Sequence, residues 1–234
     1  MNPFFVDLFP PVKSRLGKRA SGESGRDLLI KAVGLPNRCM SDVTIYDLTA
    51  GFGQDSLLMA KIGARQVYMV ERNPIVACLL KDALRRLVLL SEASCIRDSI
   101  RREAFDLANR LHLIHDDGLN VAKAVLTADI ESRPEIIYLD PMFPERKKSA
   151  SVKKNMQILH KLLGCQDVEL GERLKQEHEL LLLSLEATRQ RVVVKRPKNA
   201  PELGRESSSA HSYALPNPMY GLDGPVCRWD VYVK

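Results

Sequence analysis

The chain has 234 residues, of which 45% are hydrophobic and 27% are charged, a composition typical of a globular protein with one sizeable α/β domain. Its apolar runs are shorter than the roughly 18 residues that a membrane span needs. The N-terminus does not show the basic start and apolar stretch of a secretory signal. We therefore expect a cytoplasmic protein without a membrane partner. The five cysteines are scattered and form no C-x-x-C pair, which predicts free thiols and no metal site.

The net charge of +6 is modest, but the basic residues are clustered. Such clusters suit a polyanion such as nucleic acid, although a charge run can also be a plain solvated face. Three groups stand out in the sequence: Lys13, Arg15, Lys18, Arg19 and Arg26; Arg146, Lys147, Lys148, Lys153 and Lys154; and Arg191, Lys195, Arg196 and Lys198.

Residues 1–26 are rich in Pro, Gly, Ser and basic side chains, which predicts an extended arm. The arm could be a disordered tail, or its glycines and Arg26 could fold over a ligand. A short helix follows at 28–33, and Gly34 and Pro36 end it. We therefore predict an N-terminal arm with a short helix over 1–36 and a main domain over 37–234.

The first strand is predicted at 43–47 and ends on Asp47. The chain then breaks at Gly51 and Gly53 and resumes as a helix from Gln54 to Lys61. A strand, a glycine turn and a helix present backbone N–H groups to a nucleotide-like ligand. The spacing is G-x-G without the third glycine of the dinucleotide fingerprint, so plain turn chemistry is the alternative interpretation.

A second strand is predicted at 66–70, and Glu71 follows it directly. An acidic residue at this position, about 20 residues past the turn, can accept hydrogen bonds from both ribose hydroxyls. A solvated carboxylate at a strand end is the alternative. The position and the residue type together favour a nucleoside ligand.

Asn73-Pro74 is a typical helix start, with Asn as the N-cap and Pro in the first turn. A second helical stretch spans about 96–110, and a third strand is predicted at 111–115. The turn after it is polar and lies where open α/β sheets bind ligands. Asp117 could accept a hydrogen bond from an adenine amino group, and Gly118 would allow close approach.

The run Glu135–Leu139 is almost continuously apolar, which is typical of a parallel strand buried on both faces. Helices are predicted at about 152–163 and 168–190, a strand at 191–195, and an alternating edge strand at 226–233. The alternation of strands and helices predicts an α/β fold with a doubly wound, mostly parallel sheet and an antiparallel C-terminal edge.

The fourth strand ends in Asp140-Pro141-Met142-Phe143, a short loop that suits chemistry on the amine of a base. The lone pair of such an amine is delocalised into the ring, so the nitrogen is a poor nucleophile. Asp140 and the Pro141 carbonyl could accept its two hydrogens, and Phe143 could stack on the base. A strand-end cap and a core aromatic residue are the alternative roles, and the nearby glycine turn and Glu71 favour the functional ones.

Four runs together resemble one family: DLTAGFGQD, VERNP, YLDPMFP with the KKSASVKKNM that follows it, and VVVKRP. They resemble the bacterial small-subunit ribosomal RNA methyltransferase J family over about residues 20–200. Its members use S-adenosylmethionine (SAM) to methylate the N2 amine of a guanine in 16S rRNA. The resemblance implies a class I methyltransferase domain at 37–234 and a donor site lined by Gln54, Asp55, Glu71, Arg72, Asp117, Gly118 and Asp140, which Asp47, Gly51 and Gly53 of the preceding turn complete.

On this interpretation Asp140, Pro141 and Phe143 are the catalytic residues, and 16S rRNA or the small ribosomal subunit is the partner. The rRNA would be held by basic side chains, namely Arg146, Lys147, Lys148, Lys153, Lys154, Lys195 and Arg196. Three alternatives stay open at this point: methylation of a DNA base or a protein glutamine, a nicotinamide-dependent oxidoreductase, and a non-catalytic RNA-binding protein. The missing third glycine and the D-P-M-F loop argue against the oxidoreductase. No sequence feature marks an oligomeric interface.

Overall fold

A computed structural model of the chain describes residues 4–20, 28–34, 42–141, 170–203 and 215–234. The helix predicted at 152–163, the basic loop 146–154 and Phe143 lie outside these residues.

The described residues form a seven-stranded sheet in the order β3-β2-β1-β4-β5-β7-β6. The first five strands are parallel, and β7 runs antiparallel to both of its neighbours, β5 and β6. The strand order reverses between β1 and β4, which confirms the predicted doubly wound sheet. The strands are β1 (Thr44–Asp47), β2 (Gln66–Val70), β3 (Leu111–Ile114), β4 (Ile136–Leu139), β5 (Arg191–Pro197), β6 (Tyr220–Asp223) and β7 (Cys227–Val233).

Helices cover both faces of the sheet and create two apolar layers. One layer contains buried side chains of α2 to α5, and the other contains those of α6 and α7. Strand β4 contributes to both layers, with Tyr138 in the first and Leu139 in the second. Burial on both faces explains the continuous apolar run of this strand. The helices are α1 (Arg15–Ala20), α2 (Leu28–Val33), α3 (Gln54–Lys61), α4 (Pro74–Glu92), α5 (Asp98–Arg110), α6 (Gly118–Leu126) and α7 (Leu170–Ala187).

The start of α4 follows from its sequence. The Asn73 side chain accepts hydrogen bonds from the backbone N–H groups of Ile75 (2.9 Å) and Val76 (3.2 Å), and Pro74 has no N–H that needs a partner. The N-cap prediction is confirmed, and α3 and β2 have the predicted bounds. None of the helices in the described ranges could cross a lipid bilayer.

The N-terminal residues differ from the predicted extended arm. They include helix α1, and Val6 and Leu8 are 4% and 2% exposed within the first apolar layer. Two apolar side chains among prolines and basic residues give no periodic signal, so their burial depends on contacts distant in sequence.

The C-terminal strand also differs from its predicted place. Strand β7 lies between β5 and β6, so the edge of the sheet is β6. We did not predict β6 because its sequence, Tyr-Gly-Leu-Asp, is mostly exposed and does not alternate. The antiparallel C-terminal edge of the fold is nevertheless confirmed, since β6 and β7 pair antiparallel.

Candidate active site

The candidate site lies at the carboxyl edge of the parallel strands. Asp47 ends β1, Glu71 follows β2, Asp117 is the third residue after β3, and Asp140 follows β4. Because parallel strands present their carboxyl ends at one edge, four elements bring acidic side chains to one side of the sheet. Strand order places the groups of β1 and β4 next to each other, at the point where ligands bind in open α/β sheets.

The turn between β1 and α3 depends on two glycines with positive φ, 52° at Gly51 and 67° at Gly53. A Cβ at Gly53 would lie 3.0 Å from side-chain atoms of Leu80 and Met69, so this glycine permits tight packing on the core. A Cβ at Gly51 would meet only the Thr49 carbonyl oxygen, at 4.0 Å. The space beside the Gly51 backbone is therefore open, and a ligand can approach the backbone there.

Glu71 joins the end of β2 to this turn. Its Oε2 accepts a hydrogen bond from Gly51 N (2.9 Å), and its Oε1 accepts one from Asn73 N (2.7 Å). Burial raises the pKa of the Glu71 carboxyl, while the two N–H groups and Arg72 act in the opposite direction. The carboxylate is half-buried and held beside Gly51, which is the place required for its predicted contact with ribose.

Asp117 and Gly118 begin α6, and their contacts are structural. Asp117 is the N-cap, and its Oδ1 accepts a hydrogen bond from Leu119 N (2.9 Å). Arg72 lies across from it, with 3.5 Å between Nη1 and Asp117 Oδ2. Gly118 is buried, and a Cβ there would lie 2.6 Å from the Leu48 carbonyl oxygen. The missing side chain of Gly118 therefore lets α6 pack closely on the end of β1, and its predicted role beside the adenine stays a prediction.

Asp140 is linked to the glycine-turn helix through one lysine. The Lys195 Nζ lies 2.7 Å from Asp140 Oδ2 and 2.7 Å from Asp55 Oδ2. Pairing of β4 with β5 places Leu139 opposite Val194, so the next residues of the two strands meet at the sheet edge. The backbone N–H of Asp140 donates to Thr49 Oγ1 at 2.5 Å, which joins the loop after β4 to the turn after β1.

The pKa of the Asp55 carboxyl depends on its burial and on three neighbouring side chains. Burial alone would raise the pKa of its carboxyl, but Lys195, the Tyr138 hydroxyl (2.7 Å) and Arg19 (3.6 Å) outweigh it, so the pKa is lowered. Burial disfavours the Lys195 ammonium, yet Asp55 and Asp140 raise the lysine pKa above its ordinary value. At Asp140 burial dominates and raises the pKa, although Lys195 opposes it. The centre therefore contains a fixed ammonium beside the Asp55 carboxylate, and the same ammonium favours the ionised form of Asp140.

Two of the predicted site residues are buried. Asp47 is 1% exposed, and its oxygens accept hydrogen bonds from Thr49 N (3.2 Å) and Ser56 Oγ (2.5 Å), so it shapes the turn. Arg196, predicted to contact RNA, is 2% exposed, and its Nε and Nη2 donate to the Pro201 carbonyl oxygen. Asp47 and Arg196 both lie near the carboxyl ends of their strands, β1 and β5, and both are enclosed by surrounding residues.

The remaining predicted residues lie at the open side of the edge. Gln54 is exposed at the first position of α3, and Pro141 is half-buried directly after Asp140. Lys195, also predicted to contact RNA, is instead a member of the carboxylate network.

Sequence reasoning missed the roles of Tyr138, Thr49 and Arg19. Tyr138 is a hydroxyl in an otherwise aliphatic strand, which is a weak signal for a buried polar contact. Thr49 gave no signal, and Arg19 was noted only as part of a basic cluster, since their partners Asp140 and Asp55 are distant in the chain.

The sheet order, the outward-facing glycine turn and the acidic residue after β2 define a class I SAM-dependent methyltransferase. Residues 2–234 match a protein family described as "Putative SAM-dependent methyltransferase". The ribosomal RNA small subunit methyltransferase J of Cellvibrio japonicus is 35% identical over 93% of this chain and 70% of its own length. That of Coxiella burnetii is 32% identical over 99% of this chain and 75% of its own length. The chain belongs to the ribosomal RNA small subunit methyltransferase J family.

Solved structures agree with this assignment. A SAM-dependent methyltransferase from Neisseria gonorrhoeae superposes with a TM-score of 0.64 at 26% identity, covering 100% of this chain and 75% of that one. The match extends through the N-terminal residues as well as the sheet.

SAM is the methyl donor of this family, and the residues present fit it. The backbone at Gly51 is open on the side where a Cβ would project, and the Glu71 carboxylate is fixed next to it at 2.9 Å from the Gly51 nitrogen. The carboxylates at this edge also suit the positive charge of a sulfonium. Glu71 and the backbone of the glycine turn would hold the donor nucleoside, with Asp117 and Arg72 at the neighbouring strand end.

Proposed function

We propose that this protein transfers a methyl group from SAM to the exocyclic N2 amine of a guanine in 16S rRNA. The observation that carries the proposal is the position of Asp140-Pro141, one strand away from the glycine turn and joined to it through Thr49 Oγ1. The names of the J-family relatives support an rRNA substrate, and the reaction would take place in the cytoplasm, where ribosomal subunits are assembled.

Asp140 is the group that would act on the amine. Bound SAM supplies an already activated methyl group, so positioning accounts for much of the rate enhancement. The Asp140 carboxylate and the Pro141 carbonyl would accept the two N–H hydrogens and turn the nitrogen lone pair toward the donor. Pro141 fixes its own φ angle and stiffens this loop. Phe143 would stack on the base and keep it out of the RNA helix.

The RNA backbone would contact basic side chains that surround this edge. Besides the predicted loop 146–154, helix α1 with part of the first basic group lies near this edge, because Arg19 of α1 reaches Asp55. Lys13, Arg15 and Lys18 on the same segment are exposed, so we include them in the proposed RNA surface.

Label transfer from radioactive SAM tests the proposal directly. The acceptors are small subunits and free 16S rRNA from a strain that lacks the gene, followed by digestion to nucleosides. Label in N2-methylguanosine is the expected result. Label in a different nucleoside would assign another substrate, and label in DNA or in a protein glutamine would establish one of the alternative amines. Tight RNA binding without label on any acceptor would indicate a non-catalytic RNA-binding protein.

The Asp140→Asn variant tests the assigned residue. We expect turnover to fall by about 100-fold or more, while affinities for SAM and for RNA stay within about 3-fold of the parent, since Asn keeps the size of the side chain. Exposed Asp106 on α5 offers a matched control, Asp106→Asn, with parental turnover. Parental turnover of Asp140→Asn would remove Asp140 from the mechanism.

A further inference from the structure

We propose that Lys195 is a positioning residue for the methyl transfer, whose ammonium aims the Asp140 carboxylate at the target amine and ties it to Asp55 of α3. This inference rests on the proposed function. It gives Lys195 a role in the reaction rather than in RNA binding, and it assigns Asp55 to the support of the catalytic loop.

The geometry is that of a bridge. One Nζ lies 2.7 Å from an oxygen of each carboxylate. The Asp55 Oδ2 that accepts from Lys195 also accepts from the Tyr138 hydroxyl at 2.7 Å. Tyr138 is fully buried and belongs to β4, two residues before Asp140. Asp55 of α3 thus fixes the Lys195 ammonium, and Tyr138 of β4 fixes Asp55. Asp140 therefore has a hydrogen-bond partner whose position is set by the core.

The position of Lys195 is also set by the sheet. It is the register partner of Trp229 in β7, and the residue before it pairs with the last residue of β4. Its side chain is 25% exposed, whereas that of Asp140 is 39% exposed. The lysine is therefore less accessible than the carboxylate that it orients, which is expected of a supporting group and not of an RNA ligand.

Charge gives the bridge a second effect. Without the ammonium, Asp55 and Asp140 would be two carboxylates sharing one partly buried site, and like charges there disfavour ionisation. An Asp140 that took up a proton would lose an acceptor for the amine hydrogens. The other charged or titratable groups that act on this centre are Arg19 of α1, Asp47 of β1, Tyr138 of β4, Arg196 of β5 and Cys227 of β7.

The proton balance of the reaction needs a proton acceptor beside the nitrogen, and an ionised Asp140 can be that acceptor. The nitrogen lone pair forms the new N–C bond as the C–S bond breaks, and the sulfur keeps the electron pair of that bond. The methylated nitrogen then carries an excess proton, which the Asp140 carboxylate can take and pass to water. Lys195 keeps its own proton throughout and donates hydrogen bonds only.

The pH profile of kcat/KM for methylation of 16S rRNA tests this role. In Lys195→Met we expect the acidic limb of the profile to move upward by about 1–3 pH units and kcat at pH 7 to fall by about 100-fold. Lys195→Gln, which keeps a hydrogen-bond donor without the charge, should show the same shift, and it serves if the Met variant does not fold. Lys195→Arg keeps the charge and should retain a nearly parental limb.

A compensating variant separates charge from packing. Asp55→Asn in the Lys195→Met background removes the second carboxylate charge, so the acidic limb should return toward that of the parent. Lys81→Met, at an exposed position on α4 away from the site, is the control and should change neither kcat nor the limb.

An acidic limb that stays parental in both uncharged Lys195 variants, or parental kcat in Lys195→Met, would overturn the inference. A raised KM for RNA at unchanged kcat in Lys195→Met would also overturn it and would indicate that Lys195 binds RNA. Failure of the proposed function is distinguished from these results, because the parent itself would then leave no label in N2-methylguanosine.

Discussion

Asp47 combines complete burial with a titratable group, and this has a consequence for stability. Burial raises the pKa of its carboxyl from 3.8 to about 7. Between these values the folded protein holds a proton that the unfolded chain has released, so the free energy of unfolding falls as pH rises, by roughly 1.4 kcal/mol per pH unit. Below pH 4 and above pH 7 the two states bind equal numbers of protons at this residue, and its contribution is flat.

The Asp47→Asn variant stays neutral and should lose this dependence. Its free energy of unfolding relative to the parent should rise between about pH 4 and pH 7 and be constant above, as measured by urea titration across that range. Asp106→Asn, at an exposed position on α5, is the control for the Asp-to-Asn exchange itself. A pH-independent difference for Asp47→Asn would mean that burial does not raise the pKa of the Asp47 carboxyl in the folded protein.

The residues of the site differ in how far sequence could predict them. Glu71 and Asp140 were predicted because a position at a strand end carries its own meaning in an open α/β sheet. The role of Lys195 could not be predicted, since both of its hydrogen-bond partners, Asp55 and Asp140, are distant from it in the sequence. Local sequence showed only a lysine after three valines, which fits a solvated strand end equally well.

At the level of helices and strands, the close contact of α6 with β1 depends on Gly118. A Cβ there would lie 2.6 Å from the Leu48 carbonyl oxygen, and backbone cannot give way as a flexible side chain can. We expect Gly118→Ala to lower the free energy of unfolding by about 1–3 kcal/mol and to weaken SAM binding, because the helix carries Asp117. Urea denaturation and calorimetric titration with SAM measure the two effects.

Gly171→Ala is the matched control for this contact. Gly171 lies in α7 with open space where its Cβ would project, so alanine there should leave stability unchanged or raise it by about 0.5–1 kcal/mol. A Gly118→Ala protein as stable as the parent would show that α6 tolerates displacement from β1.

Elements with a strong periodic signal were predicted closely, and those held by distant contacts were not. Helix α3 and strand β2 match their predicted bounds, since glycines flank the first and alternation marks the second. Strand β6 and helix α1 were missed because both are short, and β6 is also mostly exposed. Such elements depend on the sheet or helix against which they pack, which local sequence does not encode.

For the molecule as a whole, the distribution of charge relates the N-terminal segment to the RNA. Helix α1 lies at the active edge through Arg19 and Asp55, while Lys13 and Lys18 are exposed. The same N-terminal segment carries the exposed Phe4. Its ring contacts that of Phe52 in the glycine turn, with ring centroids 5.5 Å apart. Basic and aromatic side chains together are typical of surfaces that bind unpaired RNA.

Charge reversal at both lysines should therefore weaken binding of 16S rRNA. We expect Lys13→Glu/Lys18→Glu to raise the Kd for RNA roughly 10-fold or more and to reduce the slope of log K against log salt by about 1 to 2, because phosphate contacts release counterions. Affinity for SAM should be parental. Filter binding or fluorescence anisotropy at several salt concentrations gives both numbers. The control is Arg85→Glu/Arg102→Glu, which reverses two exposed charges on α4 and α5 and changes the net charge by the same amount. Equal weakening by the two variants would indicate a general effect of net charge. It would then exclude α1 from the RNA surface.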